Sequence, residues 1–224
     1  FRLLTTLLHY SHGDSSTDGG GGLSRLVILK GCGGTGKSTC VNAVRAQLSA
    51  AEEAVFATTG KAATVVGGST IFNKRSGFAL PVRGRFQPLS GRSLTDLQGK
   101  FENTKIIFID EYSMLRQKEL HWIDQRLRQI NCNNYPFGGL ITVLIGDIGQ
   151  LPPVQAKSLW QEPLATDGDS NRGRRLYLDD FTSVIHLTEN KRILDDPNAA
   201  FYDAFLKRLR LGYTTSDDYK ELRT

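Results

Sequence analysis

Residues 26–39 read LVILKGCGGTGKST, and this stretch decides the fold. Residues 26–29 form a continuous apolar run, which is typical of a strand buried on both faces of a sheet. The residues after it match G-x-x-x-x-G-K-[S/T] in full, a loop whose glycines let successive backbone N–H groups surround phosphate oxygens. A helix-forming run begins at Lys37, so the helix N-terminus would face the same anion. The pattern predicts a nucleotide-binding strand, loop and helix.

Individual residues of this loop have separate predicted roles. Lys37 would reach the β- and γ-phosphates, and the Ser38 hydroxyl would be a ligand of Mg²⁺. The other binding positions are Gly31, Gly33, Gly34, Thr35, Gly36 and Thr39. The chain has no Asn-Lys-x-Asp sequence of the kind that recognises guanine in GTPases. We therefore expect ATP and Mg²⁺ as the cofactors.

Another apolar run, residues 106–109, ends in Asp110 and Glu111. A carboxylate at the end of a strand beside a phosphate loop can hold hydrated Mg²⁺, the role we assign to Asp110. Glu111 could then orient and deprotonate the water that attacks the γ-phosphate. Alternatively, the two acids could simply cap the helix that follows them. With the phosphate loop upstream, the pair favours hydrolysis of ATP over static binding.

Strand-like and helix-like segments alternate along the rest of the chain. Further strands are predicted at residues 54–57, 140–145 and 183–187, and helices at 37–51, 113–130 and from Pro197 onward. The last helix has an apolar face made by Phe201, Ala204, Phe205 and Leu209. This alternation predicts an α/β fold of the P-loop NTPase type, a parallel sheet with helices on both faces.

Residues 73–100 fit neither the helical nor the strand period, and we predict an inserted loop or small excursion. Its basic residues outnumber its acid, Asp96, by six to one: Lys74, Arg75, Arg83, Arg85, Arg92 and Lys100. This charge could face nucleic acid, or the segment could be a solvated loop.

Four further motifs carry a resemblance to a known family. They are TTGKAATVVGGSTIF at 58–72, DEYSML at 110–115, GDIGQLPPV at 146–154 and LTENKR at 187–192. Together with the phosphate loop, they resemble the first motor domain of the PIF-one-like DNA helicases of superfamily 1, including the helicase modules of Helitron transposons. The resemblance covers about residues 23–224. It implies a RecA-like domain of an ATP-dependent DNA helicase that moves 5′ to 3′ on single-stranded DNA during genome maintenance.

The same resemblance implies roles for two more residues near the γ-phosphate. Gln150 follows a predicted strand closely, so its amide could lose a hydrogen bond when the γ-phosphate leaves, which would make it the nucleotide sensor. Arg192 matches an arginine whose fixed charge would offset charge developing in the transition state. Lys191 and Ile193 depart from the family pattern around it, and a surface ion pair is the alternative role for Arg192.

The TTGKAA motif and the residues that follow it are implied to contact DNA. Thr59, Gly60, Lys61, Ser69 and Thr70 supply hydroxyls, a glycine and a cation suited to sugar–phosphate contacts. Phe72 occupies a position where the family usually has histidine. It could stack on a base but could not donate that hydrogen bond.

Composition sets the remaining expectations. The chain of 224 residues carries a net charge of +5, which is compatible with a polyanionic partner. No apolar run approaches the ~18–20 residues of a membrane-spanning helix. Its three cysteines lack metal-ligand spacing and predict reduced thiols in an intracellular protein, by resemblance nuclear or mitochondrial if eukaryotic.

The chain is expected to comprise a helix remnant with a flexible glycine-rich connector at 1–22 and a RecA-like ATPase domain at 23–224. A second motor domain of the same chain would be needed for motion along DNA, so we do not expect this chain to unwind DNA alone. Two alternatives remain: an RNA or viral replicative helicase of the same superfamily, and a nucleotide-gated nucleic-acid-binding module without turnover.

Overall fold

The computed structural model describes residues 24–191 and 199–221. In this part of the chain, six strands form one sheet in the order β3-β2-β4-β5-β1-β6, and every neighbouring pair is parallel. The predicted parallel α/β sheet is therefore confirmed. The helix remnant and connector expected at residues 1–22 lie outside the described residues.

Strands and helices alternate along the chain, as the sequence predicts. The strands are β1 (Leu26–Gly31), β2 (Glu53–Ala57), β3 (Ser69–Thr70), β4 (Ile106–Asp110), β5 (Ile141–Gly146) and β6 (Ser183–Leu187). The helices are α1 (Lys37–Arg45), α2 (Gly60–Val65), α3 (Gly91–Phe101), α4 (Gln117–Ile130), α5 (Gly168–Arg175), α6 (Ala199–Leu211) and α7 (Ser216–Glu221). Short 3₁₀ turns occur at Tyr112–Met114 and Pro136–Gly139, and a π-helical turn occurs at Leu176–Asp180.

The central strands are buried on both faces because their alternate residues enter two different cores. In β4, Ile107 and Ile109 belong to one buried cluster, whereas Ile106 and Phe108 belong to the other. Such strands read as continuous apolar runs. Among residues 24–191 and 199–221, no helix combines the length and apolar character needed to cross a membrane.

Several segments differ from the sequence-based expectations, and the helix expected at 37–51 ends at Arg45. The helix expected from residue 113 begins at Gln117, because Glu111 adopts a left-handed conformation (φ 56°) and a 3₁₀ turn follows it. The excursion at 73–100 contains a helix, α3, whose Leu97 and Phe101 are buried. The sparse apolar residues of this helix concealed it. The edge strand β3, only two residues long, was also missed.

Helix α6, the last helix expected from the sequence, buries less of its apolar face than predicted. Phe205 is buried, whereas Phe201 and Leu209 are 43% and 52% exposed. The helix exists as expected, although Pro197, its expected start, lies outside the described residues.

Candidate nucleotide site and the adjoining groove

The motifs singled out in the sequence meet at one edge of the sheet. Lys30 of β1 lies in register with Gly146 of β5, and Asp110 of β4 lies in register with Ile145. The phosphate loop, the Asp110-Glu111 pair and the segment after Gly146 therefore leave the sheet side by side. Ligands of open α/β sheets bind at this carboxyl edge.

The phosphate loop is tightly packed at its base. Thr35 Oγ1 donates a hydrogen bond to the Cys32 carbonyl (2.9 Å), and Gly36 caps α1 with φ 88°. A Cβ atom on Gly31 would lie 2.5 Å from Thr35 Oγ1 and 2.7 Å from the Leu187 carbonyl oxygen. Gly31 is thus required by the close approach of the loop to β6.

The mouth of the loop is open and carries positive charge. A Cβ atom added to Gly33 or Gly36 would meet nothing within 4 Å. The Lys37 ammonium donates to the carbonyls of Gly31 (2.7 Å) and Cys32 (3.0 Å), so it stays at the loop. An open glycine loop, a lysine and a helix N-terminus fit the phosphates of a nucleotide.

Two carboxylates face this loop at the end of β4. Burial raises the pKa of Asp110, against the lowering effect of Lys37 and of a hydrogen bond from the Glu111 N–H (2.9 Å to Asp110 Oδ1). Burial also raises the pKa of Glu111, and the charges of Asp110 and Asp147 add to this effect while Lys37 opposes it. Glu111 is one of a few non-glycine residues with positive φ, a strain often found at functional sites.

The donor atoms at this edge suit a hard cation. Ser38 supplies a hydroxyl oxygen and Asp110 a carboxylate oxygen, the ligand types that Mg²⁺ prefers. The described residues contain no group of three or more His, Cys, Asp or Glu side chains that could hold a metal ion. Mg²⁺ at Ser38 and Asp110 would therefore depend on nucleotide phosphates for further ligands, as is usual for this ion.

A turn after β5 carries Gln150 to the same edge. The Gln150 N–H donates to the Asp147 carbonyl (3.0 Å), and the Gly149 N–H donates to Asp147 Oδ1 (3.0 Å). Asp147 is buried, whereas Gln150 is exposed. We call residues 147–150 the sensor turn. Asp147 was not among the site residues expected from the sequence, although a Gly-Asp pair ending a strand could have indicated it.

One groove joins the catalytic candidates to the TTGKAA segment. Its volume is about 590 Å³, and its lining residues are Thr59, Lys61, Ala62, Val65, Asp110, Glu111, Met114, Gly149, Gln150, Leu151 and Pro152. We call this cavity the acidic-end groove. It brings Glu111 and Gln150 together with Lys61, residues that are distant in sequence. Its apolar lining residues, such as Val65 and Leu151, were not expected from the sequence, because an isolated apolar residue carries no signal of a binding site.

Comparison with known proteins identifies the family. The family model described as PIF1-like helicase matches residues 20–219. This chain belongs to the PIF1-like helicase family. The resemblance drawn from the five motifs is therefore confirmed.

Relatives of this PIF1-like chain include two curated proteins. The ATP-dependent DNA helicase RRM3 of Saccharomyces cerevisiae is 39% identical over 136 residues, which are 58% of this chain and 19% of that protein. The ATP-dependent DNA helicase Pif1 of Psychrobacter sp. is 33% identical over 179 residues, 74% of this chain and 25% of that protein. The chain thus spans about a fifth to a quarter of these relatives.

Solved structures agree with the fold. The crystal structure of Pif1 helicase from Candida albicans is 25% identical with a TM-score of 0.70, covering 98% of this chain and 45% of that one. The crystal structure of Bacteroides Pif1 bound to ssDNA is 25% identical with a TM-score of 0.63, covering 88% of this chain and 45% of that one. The RecA-like fold of this PIF1-like domain is confirmed.

The residues expected to contact DNA fall into two groups in the PIF1-like domain. Thr59 and Lys61 line the acidic-end groove, although the Thr59 hydroxyl also caps α2 by accepting from the Ala62 N–H (3.2 Å). Gly60 is exposed at the first turn of α2, outside the groove lining.

The second group lies at the edge of the sheet. Ser69 and Thr70 form β3, and the Ser69 hydroxyl is hydrogen-bonded to the Ser76 hydroxyl (2.6 Å). Phe72 is half-buried against the core, which reduces the ring surface open to a base. None of these three residues is part of the groove lining, and their DNA contacts stay predictions.

Arg192, the expected arginine near the γ-phosphate, lies outside the described residues. Its neighbour Lys191 is described, and the Lys191 N–H donates to the Gly34 carbonyl of the phosphate loop (2.9 Å). The Lys191 ammonium pairs with Glu189 (2.6 Å). The LTENK segment therefore contacts the phosphate loop, and the role of Arg192 stays a prediction.

Proposed function

We propose that this chain is the first motor domain of an ATP-dependent DNA helicase and that it couples ATP hydrolysis to movement on single-stranded DNA. The observation that carries the proposal is the acidic-end groove. It unites the carboxylate of Glu111, a residue with positive φ, and the exposed amide of Gln150 with the cation of Lys61. A nucleotide event at one end of this groove can thus alter contacts at the other.

In the proposed hydrolysis, the phosphate loop and Lys37 bind the triphosphate. Mg²⁺, held by Ser38 and Asp110, would neutralise charge on the β- and γ-phosphates. Glu111 accepts a proton from the attacking water while the water oxygen bonds to the γ-phosphorus and the bond to the β-phosphate oxygen breaks. Its raised pKa suits a group that must accept a proton near neutral pH.

Gln150 is the proposed reporter of the γ-phosphate. Its backbone is fixed by the sensor turn, while its exposed side chain is free to reach an added phosphate. Pro152 and Pro153 follow after Leu151 and stiffen the chain, so a shift of Gln150 would be transmitted to the groove wall.

Single-stranded DNA is the proposed track. Lys61 can contact phosphate, and the exposed side chains of Val65 and Leu151, 78% and 70% exposed, offer apolar contact to bases. The two relatives described above are named ATP-dependent DNA helicases, which supports DNA rather than RNA as the nucleic acid that this domain binds. We further propose 5′-to-3′ movement in genome maintenance, completed by a second motor domain, in the nucleus or mitochondrion of a eukaryote.

The test measures nucleotide binding and phosphate release by this chain with Mg²⁺, comparing oligothymidine DNA with oligouridine RNA of equal length. We expect DNA to stimulate release more than RNA does. Glu111→Gln should keep ATP binding and lower the hydrolysis rate by about a hundredfold or more. Glu102→Gln, an exposed site after α3, is the matched control and should behave as wild type.

Each contrary result favours a different alternative. A Glu111→Gln variant that hydrolyses ATP at the wild-type rate removes Glu111 as the base. Greater stimulation by RNA favours an RNA helicase. ATP binding without phosphate release under any condition favours a nucleotide-gated binding module.

A further inference from the structure

An ion pair between the buried Asp147 and the partly exposed Arg210 side chain connects the sensor turn to α6. Arg210 Nη1 donates to Asp147 Oδ2 (2.6 Å), and Nη2 donates to Asp147 Oδ1, so the pair is bidentate. The Asp147 side chain is 4% exposed and the Arg210 side chain 31%. Bidentate arginine–carboxylate pairs fix both distance and orientation. The end of α6 is thereby fixed relative to the sensor turn.

The same carboxylate also shapes the turn. Asp147 Oδ1 accepts from the Gly149 N–H, and the Asp147 carbonyl accepts from the Gln150 N–H. Any movement of Asp147 therefore moves the backbone that carries Gln150. Arg210 can therefore act on Gln150 through Asp147.

The guanidinium also lies directly against the turn. A Cβ atom on Gly149 would lie 2.4 Å from Arg210 Cζ, so any larger residue would displace the guanidinium. Gly149 lines the acidic-end groove on one side. On its other side it lines a second cavity of about 410 Å³, which contains Arg210 and Lys207 from α6 and Cys32 from the phosphate loop. The sensor turn is thus a thin wall between the groove and α6.

Charge supports an ionised pair. Burial alone would raise the pKa of Asp147, but hydrogen bonds from Arg210 and from the Gly149 N–H, together with the charges of Arg210 and Lys37, hold it below its ordinary value. Without Arg210, a carboxylate would remain buried without its cation, and the turn would change to relieve it.

We propose that Arg210 is a positioning residue that holds Asp147, and through it Gln150, and so couples the nucleotide state to the position of α6. The proposal rests on the proposed function, in which Gln150 reads the γ-phosphate. Coupling of this kind is reciprocal, so whatever shifts α6 also alters the preference for ATP over ADP.

The chain offers a matched control on the same helix. Arg208 makes the same kind of bidentate pair with Asp218, a buried residue at the start of α7, with 3.0 Å from Arg208 Nε to Asp218 Oδ2. Asp218 accepts from the Thr215 N–H (2.8 Å). Arg208 therefore anchors α6 to α7, whereas Arg210 anchors α6 to the sensor turn.

The experiment compares wild type, Arg210→Gln and Arg208→Gln for binding of fluorescent methylanthraniloyl derivatives of ADP and of a non-hydrolysable ATP analogue, with Mg²⁺. The readout is the ratio of the two affinities, which general loss of structure does not change selectively. We expect Arg210→Gln to lower the preference for the ATP analogue by about fivefold or more, with ADP affinity retained. Arg208→Gln should keep the wild-type ratio even if its melting temperature falls.

Two further variants keep the test decisive. Arg210→Lys retains the charge and one bond, so its ratio should lie between those of wild type and Arg210→Gln, and it replaces that variant if Arg210→Gln does not fold. Gly149→Ala pushes the guanidinium away from the other side and should reproduce the effect of Arg210→Gln.

A wild-type ratio in Arg210→Gln or, if it does not fold, in Arg210→Lys would overturn the proposal, as would an equal loss in Arg208→Gln. Gln150→Ala separates this result from the proposed function. If Gln150→Ala leaves the ratio unchanged, Gln150 is not the sensor, and the proposed function fails at that point together with this inference. If Gln150→Ala loses the preference while Arg210→Gln keeps it, only the role of Arg210 fails.

Discussion

The phosphate-loop edge and the excursion at residues 73–100 both lack a regular apolar pattern, yet only the structure of the loop could be predicted from the sequence. At the loop, the required conformations are local: Gly36 needs φ 88°, and Gly31 has no room for a side chain. In the excursion, order comes from side chains of α4, which lie 39 to 48 residues further along the chain than the groups they bind. Arg126 Nε donates to the Phe78 carbonyl (3.1 Å) and its Nη2 to the Gln87 carbonyl (2.9 Å).

Gln129, also in α4, adds further hydrogen bonds to the excursion. Its side chain accepts from the Leu89 N–H (3.1 Å) and donates to the Leu89 carbonyl (2.7 Å). Arg126 also lies 4.7 Å from the centre of the Phe86 ring. The excursion is thus held at Phe78, Gln87 and Leu89, while its cations, including Arg83 and Arg85, stay exposed. The functional groups of the phosphate loop are placed by a local sequence motif. The cations of the excursion are placed by contacts with α4, a helix outside the excursion.

The largest expected effect is a loss of ATP hydrolysis caused by a substitution in the phosphate loop that leaves the excursion unchanged. Lys37→Ala deletes the cation that faces the phosphates, and we expect ATP hydrolysis to fall by about a hundredfold or more. Phosphate release assays measure it. Unfolding by urea should change little, because Lys37 contacts only the Gly31 and Cys32 carbonyls among the described side-chain hydrogen bonds. A large loss of stability would mean that the loop and the core are not separable.

The next largest effect is a loss of stability caused by a substitution that releases the excursion from α4 and leaves the phosphate loop unchanged. Arg126→Met leaves the Phe78 and Gln87 carbonyls without their donor, and we expect the free energy of unfolding to fall by about 2–4 kcal/mol. Burial lowers the pKa of Arg126 only to about 10, so the lost residue is a cation at neutral pH. Urea titration measures the change.

Arg92→Met is the control for this variant. Arg92 belongs to the same excursion, but it is exposed and lies 3.9 Å from Asp96. The free energy of unfolding of Arg92→Met should remain within about 0.5 kcal/mol of the wild-type value. ATP-analogue affinity should be unchanged in both variants, and a loss of affinity in Arg126→Met would contradict the separation of the two regions.

Two glycine substitutions distinguish the packed base of the phosphate loop from its open mouth. In Gly31→Ala the added Cβ collides with Thr35 and with the Leu187 backbone, so we expect about 1–3 kcal/mol of destabilisation. In Gly33→Ala the Cβ meets nothing in the protein and would enter the open mouth, so only nucleotide affinity should fall. Thermal melting and ATP-analogue titration distinguish the two. Equal melting temperatures for both variants would contradict the tight base of the loop.

These contrasts explain what the sequence could predict. The roles proposed for Lys37, Ser38, Asp110 and Glu111 follow from residue types at fixed spacing, and the structure brings their backbone segments to one edge. The helix α3 could not be predicted, because its stability comes from Leu97 and Phe101 packing on distant residues such as Phe56. Nor could the Arg210–Asp147 pair, which joins residues 63 positions apart. Tertiary contacts of this kind leave no local period.

The smallest expected effect comes from removing the charge of the Glu111 side chain. Its pKa is raised by burial and by Asp110 and Asp147, so its ionisation costs folded-state stability, and that loss develops as the pH rises through the folded pKa. Glu111→Gln removes the charge and should therefore be the more stable protein at pH 8, by less than about 1 kcal/mol because the side chain is partly exposed. As the pH falls towards 4, the wild-type carboxyl becomes protonated and the difference should shrink towards zero. Melting temperatures of both proteins across this range measure it. A difference that stayed constant across this range would show that the gain does not come from removing the charge of Glu111, and it would contradict the effect of burial and of Asp110 and Asp147 on that carboxyl.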